Sequence, residues 1–196
     1  MRTLVATTFV TLDGVMQAPD GPEEDTEGGF VYGGWAQPLW DGIMESAMSR
    51  ELAATDLVLG HRTYDIMSRY WIRHTEFPAT ATFNAVRKYV VSSDLEDPQW
   101  ANTTVLAGNP LESIRELKTT EGPRLTVMGS WELLQLLMAH ELVDEFHTWT
   151  FPVVLGTGKR LFAGGTTPSQ LTLRDTRTSS TGVIMSRYEI SGPVGR

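Results

Sequence analysis

Arg124-Leu125-Thr126-Val127-Met128-Gly129-Ser130-Trp131-Glu132-Leu133-Leu134-Gln135-Leu136-Leu137-Met138-Ala139 is the stretch that decides the fold class. Its first five residues have the length and apolar content of a buried strand. Gly129-Ser130 then opens a helix that runs through Ala139. A strand passing into a helix across two residues is half of a β-α-β unit. Gly129 allows close backbone approach. Ser130 is expected to cap the helix, whose first N–H groups lack intrahelical acceptors and suit an anion.

The same grammar recurs upstream. Asp56-Leu57-Val58-Leu59-Gly60 is a short buried strand, and His61-Arg62-Thr63-Tyr64 opens a helix with Tyr64, Met67 and Trp71 on one face. Arg62 and Thr63 beside that helix start make a second place for a phosphate. Further strands are expected at 3–11, 87–93, 103–106 and 144–151. One helix is expected near 39–53, from Trp40, Ile43, Met44, Ala47, Met48 and Leu52. Another runs to about Lys118 from Asn109, with Pro110 at N1 and Glu112 at N3. Leu171 to Thr178 and Val183 to Ile190 read as an antiparallel hairpin turning near Ser180-Thr181-Gly182. Together these imply an α/β fold in three layers: a mixed, mostly parallel sheet flanked by helices, with an antiparallel C-terminal hairpin. Two anion sites at carboxyl ends of parallel strands describe a dinucleotide crevice better than either does alone.

At 196 residues the expectation is one domain, 1–196. No apolar run approaches a membrane span, and the first nine residues are too polar for a signal segment, so no membrane is expected and the cytoplasm is the default. The absence of cysteine excludes thiolate nucleophiles and Cys-ligated metals. A net charge of −8 argues against nucleic acid. Five of the acids, Asp20, Glu23, Glu24, Asp25 and Glu27, fall without a base in an irregular Gly- and Pro-rich stretch of about 13–38. Loops of that length are commonly functional or mobile. The acidity is therefore read as a solvated flap, with Arg62, Arg87, Lys88 and Arg124 expected near the crevice, and a phosphate-rich ligand is not excluded.

Other motifs fall short. Gly156-Thr157-Gly158-Lys159-Arg160 lacks the spacing of a phosphate loop and reads as a flexible turn, and no G-x-G-x-x-G joins a strand to a helix. His61, His74, His140 and His147 show no ligand spacing, so no metal is expected. Trp40 and the loop aromatics suit either a planar heterocycle or the core.

Six segments then occur in order: Thr11-Leu12-Asp13-Gly14, Leu59 to Tyr64, Lys88 to Ser93, Gly129 to Leu133, Leu142 to Glu145, and Pro152 to Phe162. Through them the chain resembles, from Thr3 to Ile190, the dihydrofolate reductase-like family that includes the C-terminal reductase domain of the bacterial riboflavin-biosynthesis deaminase–reductase. The resemblance implies hydride transfer from NADPH to a small heterocyclic substrate, pteridine or ribosylaminopyrimidine-like, by a homodimer. It implies that Gly60, Arg62 and Thr63 face the adenosine 2′-phosphate, while His61, within the same cofactor-binding segment, stands where the family often has Arg. It sets Ser92 and Ser93 beside the adenine ribose, and Gly129, Ser130, Trp131 and Leu133 under the pyrophosphate. Asp13 is the acid whose motif matches, either as a catalytic polar anchor or as an Asx-turn residue. Trp40 and Asp41 would border the substrate. Two departures stand out: Met128 replaces the Glu usual in the riboflavin reductase domain, and neither Asp41 nor Glu45 aligns firmly with the helix acid of folate reductases. They leave open an alternative, a non-catalytic dimeric binder of nucleotides or small ligands.

Overall fold

The computed structural model describes residues 1–164 and 166–195. Its strands are β1 (Leu4–Thr11), β2 (Thr55–Gly60), β3 (Lys88–Val91), β4 (Thr103–Leu106), β5 (Arg124–Met128), β6 (Glu145–Phe151), β7 (Ser169–Thr178) and β8 (Ile184–Pro193). Its helices are α1 (Gly42–Leu52), α2 (His61–Arg73), α3 (Pro78–Ala85), α4 (Pro110–Thr119) and α5 (Trp131–Ala139). The strands form one sheet in the order β4-β3-β2-β5-β1-β6-β8-β7. All neighbouring pairs from β4 to β6 are parallel, whereas β8 runs antiparallel to both β6 and β7.

This layout follows from the apolar pattern. The inner strands are buried on both faces, as parallel strands under crossover helices must be. Leu57 and Leu59 join the cluster beneath Met44, Met48 and Leu52 of α1, Tyr64 of α2 and Phe83 of α3. Val58, Leu125 and Val127 point the other way, toward Ile114 and Leu117 of α4 and Leu133, Leu134 and Leu137 of α5. β1 and β5 are neighbours, yet β1 leads through α1 to β2 while β5 leads through α5 to β6 on the other side. Connections that part in this way open a crevice outside the carboxyl ends of the strands.

Most expected elements are present, and α4 carries the expected cap: Asn109 Oδ1 accepts the Leu111 N–H at 3.0 Å. Four expectations are corrected. α3 has no counterpart in the sequence reading, because Pro78-Ala79-Thr80-Ala81-Thr82-Phe83-Asn84-Ala85 shows little apolar periodicity. The helix near 39–53 starts only at Gly42, since Asp41 accepts the Met44 N–H at 2.9 Å and ends the extended chain there as N-cap. Trp40 therefore lies outside the helix.

The stretch 13–38 is packed, not a loose flap. Buried Gln17 donates through Nε2 to the carbonyls of Asp25 and Glu27 and accepts the Lys159 N–H, while Trp35 Nε1 donates to the Gln17 carbonyl. Phe30 and Trp35 enter the core. Gly158 has φ +115°, and a Cβ there would stand 2.7 Å from Val15 Cγ1 and 2.9 Å from Phe30 Cε2. The 156–160 turn is thus wedged beneath this loop.

The fourth correction concerns charge. Arg87, Lys88 and Arg124 lie at the amino ends of β3 and β5, away from the crevice edge. Arg124 pairs with Glu51 at 2.8 Å. Lys88 is fully buried, donates to the carbonyls of Asn84, Val86 and Ala101, and stands 4.3 Å from the Trp100 ring centroid. Lys88→Met keeps the packing volume but leaves these acceptors unpaired, at a cost of ~2 kcal/mol. Urea unfolding should show that loss, and an unchanged midpoint would contradict it.

Candidate active-site crevice

The two turns singled out in the sequence meet. The Gly60 N–H, at the end of β2, donates to Ser130 Oγ at 2.9 Å, and the Ser130 N–H donates to Thr63 Oγ1 at 3.1 Å. Each strand-to-helix turn therefore holds the other. Ser130 does this from a left-handed backbone at φ 52°, ψ 59°, next to Gly129 at φ +62°. Its side chain makes no capping bond, contrary to expectation, because the hydroxyl is turned toward β2. Among the described residues no protein acceptor meets the N–H groups of Trp131, Glu132 or Leu133. These donors sit at the positive end of α5 and can receive an anion. Leu133 anchors that turn in the core, and Trp131 Nε1 donates to the Arg160 carbonyl at 2.8 Å.

His61 and Ser92 form a second group at the ends of β2 and β3. His61 Nδ1 lies 3.0 Å from Asp94 Oδ1 and 3.2 Å from Ser92 Oγ, which itself donates to Asp94 at 2.8 Å. Hydrogen bonds from Ser92 and then His61 hold the Asp94 carboxyl below the usual range. Ser93 beside them is exposed.

Arg62 stands at the first turn of α2, as expected, but its partners were not foreseen. It pairs with Asp25 at 2.8 Å and Glu27 at 2.9 Å, and Lys159 pairs with the same two carboxylates at 2.8 and 2.6 Å. Part-burial opposes ionisation of Asp25, yet Lys159 and Arg62 together keep it below the usual carboxylate range. Lys159 is the site residue that sequence reasoning missed. Its signal was present: an acidic run with no local base needs cations from elsewhere in the chain.

Asp13 lies two residues beyond the end of β1, at the same edge. Its carboxylate accepts the Thr11 hydroxyl at 2.6 Å, the Leu155 N–H at 3.2 Å and the Gly156 N–H at 2.8 Å, and Arg160 approaches it at 3.4 Å. The Thr11 hydroxyl and these N–H groups hold its pKa at about 2. Asp13 is thus an ionised staple of the 155–160 turn, and at neutral pH it has no proton to give.

Trp40 and Asp41 are not hydrogen-bonded to this group. Trp40 stacks on Trp149 with centroids 5.8 Å apart at 16°, leans on Phe9, and remains 39% exposed. Asp41 ties α1 to the β7–β8 turn by accepting the Ser180 N–H and hydroxyl, both at 2.7 Å.

A mixed sheet with this order, covered on both faces and with its connections parting between β1 and β5, defines a dihydrofolate reductase-like α/β protein. The family model for the RibD C-terminal domain matches residues 2–185, and the chain belongs to that family. A relative from Bacillus subtilis (strain 168), the uncharacterised protein YyaP, is 28% identical over 97% of this chain and 96% of its own. Among solved structures, a putative riboflavin biosynthesis protein from Shewanella sp. PV-4 is similar with a TM-score of 0.67 at 18% identity, over 97% of this chain and 99% of that one. Dihydrofolate reductase from Enterococcus faecalis, complexed with NADP(H), is similar with a TM-score of 0.58 at 14% identity, over 96% of both chains. At such identities the likeness concerns the fold.

The depressed pKa of Asp13 fixes the sign of a pH effect. Its stabilising contribution is complete above the ordinary value of 3.8 and is lost as the pH falls toward about 2. Asp13→Asn should therefore unfold at a lower temperature than the parent at pH 7, and the gap should close as the pH is lowered through this window. A gap of constant size down to the lower limit would contradict the assignment.

Proposed function

We propose that this chain is an NADPH-dependent reductase that transfers a hydride to a small heterocyclic substrate of the pteridine or ribosylaminopyrimidine class, acting as a cytoplasmic homodimer. The observation that carries this reading is the pair of clasped turns at the switch point, with three α5 N–H groups that no acceptor among the described residues meets. These donors, and the left-handed backbone of Gly129, suit the phosphate groups of a dinucleotide. Bound there, NADPH would supply the hydride.

The chain's own residues orient and shield. Gly60, Thr63, Gly129 and Ser130 set the floor of the phosphate mouth, and Trp131 and Leu133 fix the start of α5. Arg62 adds a cation, while His61, Ser92 and Ser93 border the adenosine ribose. Asp13 acts as a polar anchor that keeps the 155–160 turn against the end of β1. The exposed part of Trp40 offers an aromatic face to a planar substrate.

One observation favours a second reading, a ligand binder without turnover. Asp13 and Asp41 are both consumed by structural donors and held ionised, Asp41 by the Met44 N–H and then by Ser180, so neither is poised as a proton donor.

Two measurements decide. NADPH should quench the fluorescence of the six tryptophans at micromolar to millimolar concentration, and an unchanged signal would remove the cofactor reading. NADPH oxidation in the presence of dihydrofolate or a ribosylaminopyrimidine supports the reductase, whereas binding without turnover supports the binder. Arg62→Ala should weaken NADPH more than NADH, and equal losses would argue against a role for Arg62 at the 2′-phosphate.

A further inference from the structure

Arg62 and Lys159 come from distant segments and meet on the same two carboxylates. Arg62 Nη2 lies 2.8 Å from Asp25 Oδ1, and its Nη1 lies 2.9 Å from Glu27 Oε2. Lys159 Nζ lies 2.8 Å from Asp25 Oδ2 and 2.6 Å from Glu27 Oε2. Each carboxylate bridges both cations, and the four charges balance. The Asp25 side chain is 15% exposed and that of Lys159 16%, so this is more than a loose surface pair.

The network sits at the mouth of the crevice. Arg62 adjoins Thr63, which accepts the Ser130 N–H, and Lys159 Nζ stands 5.6 Å from the ring centroid of Trp131, the first residue of α5. Neither carboxylate reaches the N–H groups of Trp131, Glu132 and Leu133. The side chains of Glu27 and Arg62 are more than half exposed, so water and solutes reach the network from that side. Gly28 and Gly29, at φ +68° and +75° with open space at the Cβ position, directly follow Glu27.

We propose that Asp25 and Glu27 are an internal counter-anion that sets the ligand specificity of the phosphate mouth. They neutralise Arg62 and Lys159 until a polyanion that also spans the α5 N-terminus displaces them. This rests on the cofactor reading above and deepens it. A single phosphate exchanges ion pair for ion pair and gains little. A dinucleotide, or a comparable polyphosphate ester, also satisfies the α5 donors that the two carboxylates leave free, and that surplus drives the exchange. The two carboxylates thereby keep small anions off Arg62 and Lys159 while admitting the extended ligand.

The test compares the full-length protein with the Asp25→Asn/Glu27→Gln double variant, which keeps the side-chain shapes and the backbone carbonyls that Gln17 binds. NADPH should bind the variant about tenfold more tightly, the scale expected when one or two partly exposed ion pairs need no longer be broken. Inorganic pyrophosphate should compete with NADPH on the variant and hardly at all on the parent. Thermal unfolding establishes that the variant folds. Should it not, the single Glu27→Gln change, at an exposed side chain, should move affinity the same way by a smaller factor. Equal or weaker NADPH binding by a folded variant would overturn the proposal. If neither protein binds NADPH, the cofactor reading fails separately, and pyrophosphate followed by tryptophan fluorescence still decides: binding to the variant alone supports the counter-anion, and identical behaviour of the two proteins overturns it.

Discussion

The reciprocal bonding of Gly60, Ser130 and Thr63 fixes the geometry on which the rest of the site depends. β2–α2 and β5–α5 are separate strand–helix units, and without a tie their helix starts could shift past one another. The Gly60 N–H on Ser130 Oγ and the Ser130 N–H on Thr63 Oγ1 remove that freedom. Ser130 adopts a left-handed backbone to make both bonds, a conformation that costs ~1–2 kcal/mol for a residue with a Cβ. Two hydrogen bonds of ~1 kcal/mol each offset the strain. Such strain persists where surrounding contacts over-determine it, which is commonly at a binding site.

The sheet was legible because parallel strands covered on both faces need near-continuous apolar runs, and Leu57-Val58-Leu59 and, with one Thr, Leu125-Thr126-Val127 supply them. The α4 cap was legible because Asn109, Pro110 and Glu112 act locally. What stayed hidden depends on partners distant in sequence. Ser130 looks like an N-cap until β2 is brought alongside and offers it the Gly60 N–H. Trp40 continues a helical apolar pattern, but the Asp41 cap starts the helix only at Gly42 and leaves the ring free to stack on Trp149. α3 has little amphipathic pattern to read, and its place comes from packing against α1 and α2.

Charge gives the same lesson at longer range. The bases at positions 87, 88 and 124 are as conspicuous in the sequence as Arg62, yet strand direction carries them to the opposite edge, where Lys88 is spent on three carbonyls. Lys159 looks like part of a flexible Gly-rich turn, yet the β1–loop junction and Gln17 bring it beside Arg62. The acidic run between residues 20 and 27 then has a structural place: two of its carboxylates, Asp25 and Glu27, fold back on Arg62 and Lys159. Asp13 belongs to the same frame, an anion that holds the 155–160 turn in register with the end of β1.

The central claim is that the clasped turns are a nucleotide-binding mouth. Its most direct test is a titration of the 15N-labelled protein with NADPH, followed residue by residue in amide spectra. The account predicts that the amides of Gly60, Thr63, Gly129, Ser130, Trp131 and Leu133 move first and furthest. Changes that leave these amides still while clustering on another surface, or no changes at all, would contradict it.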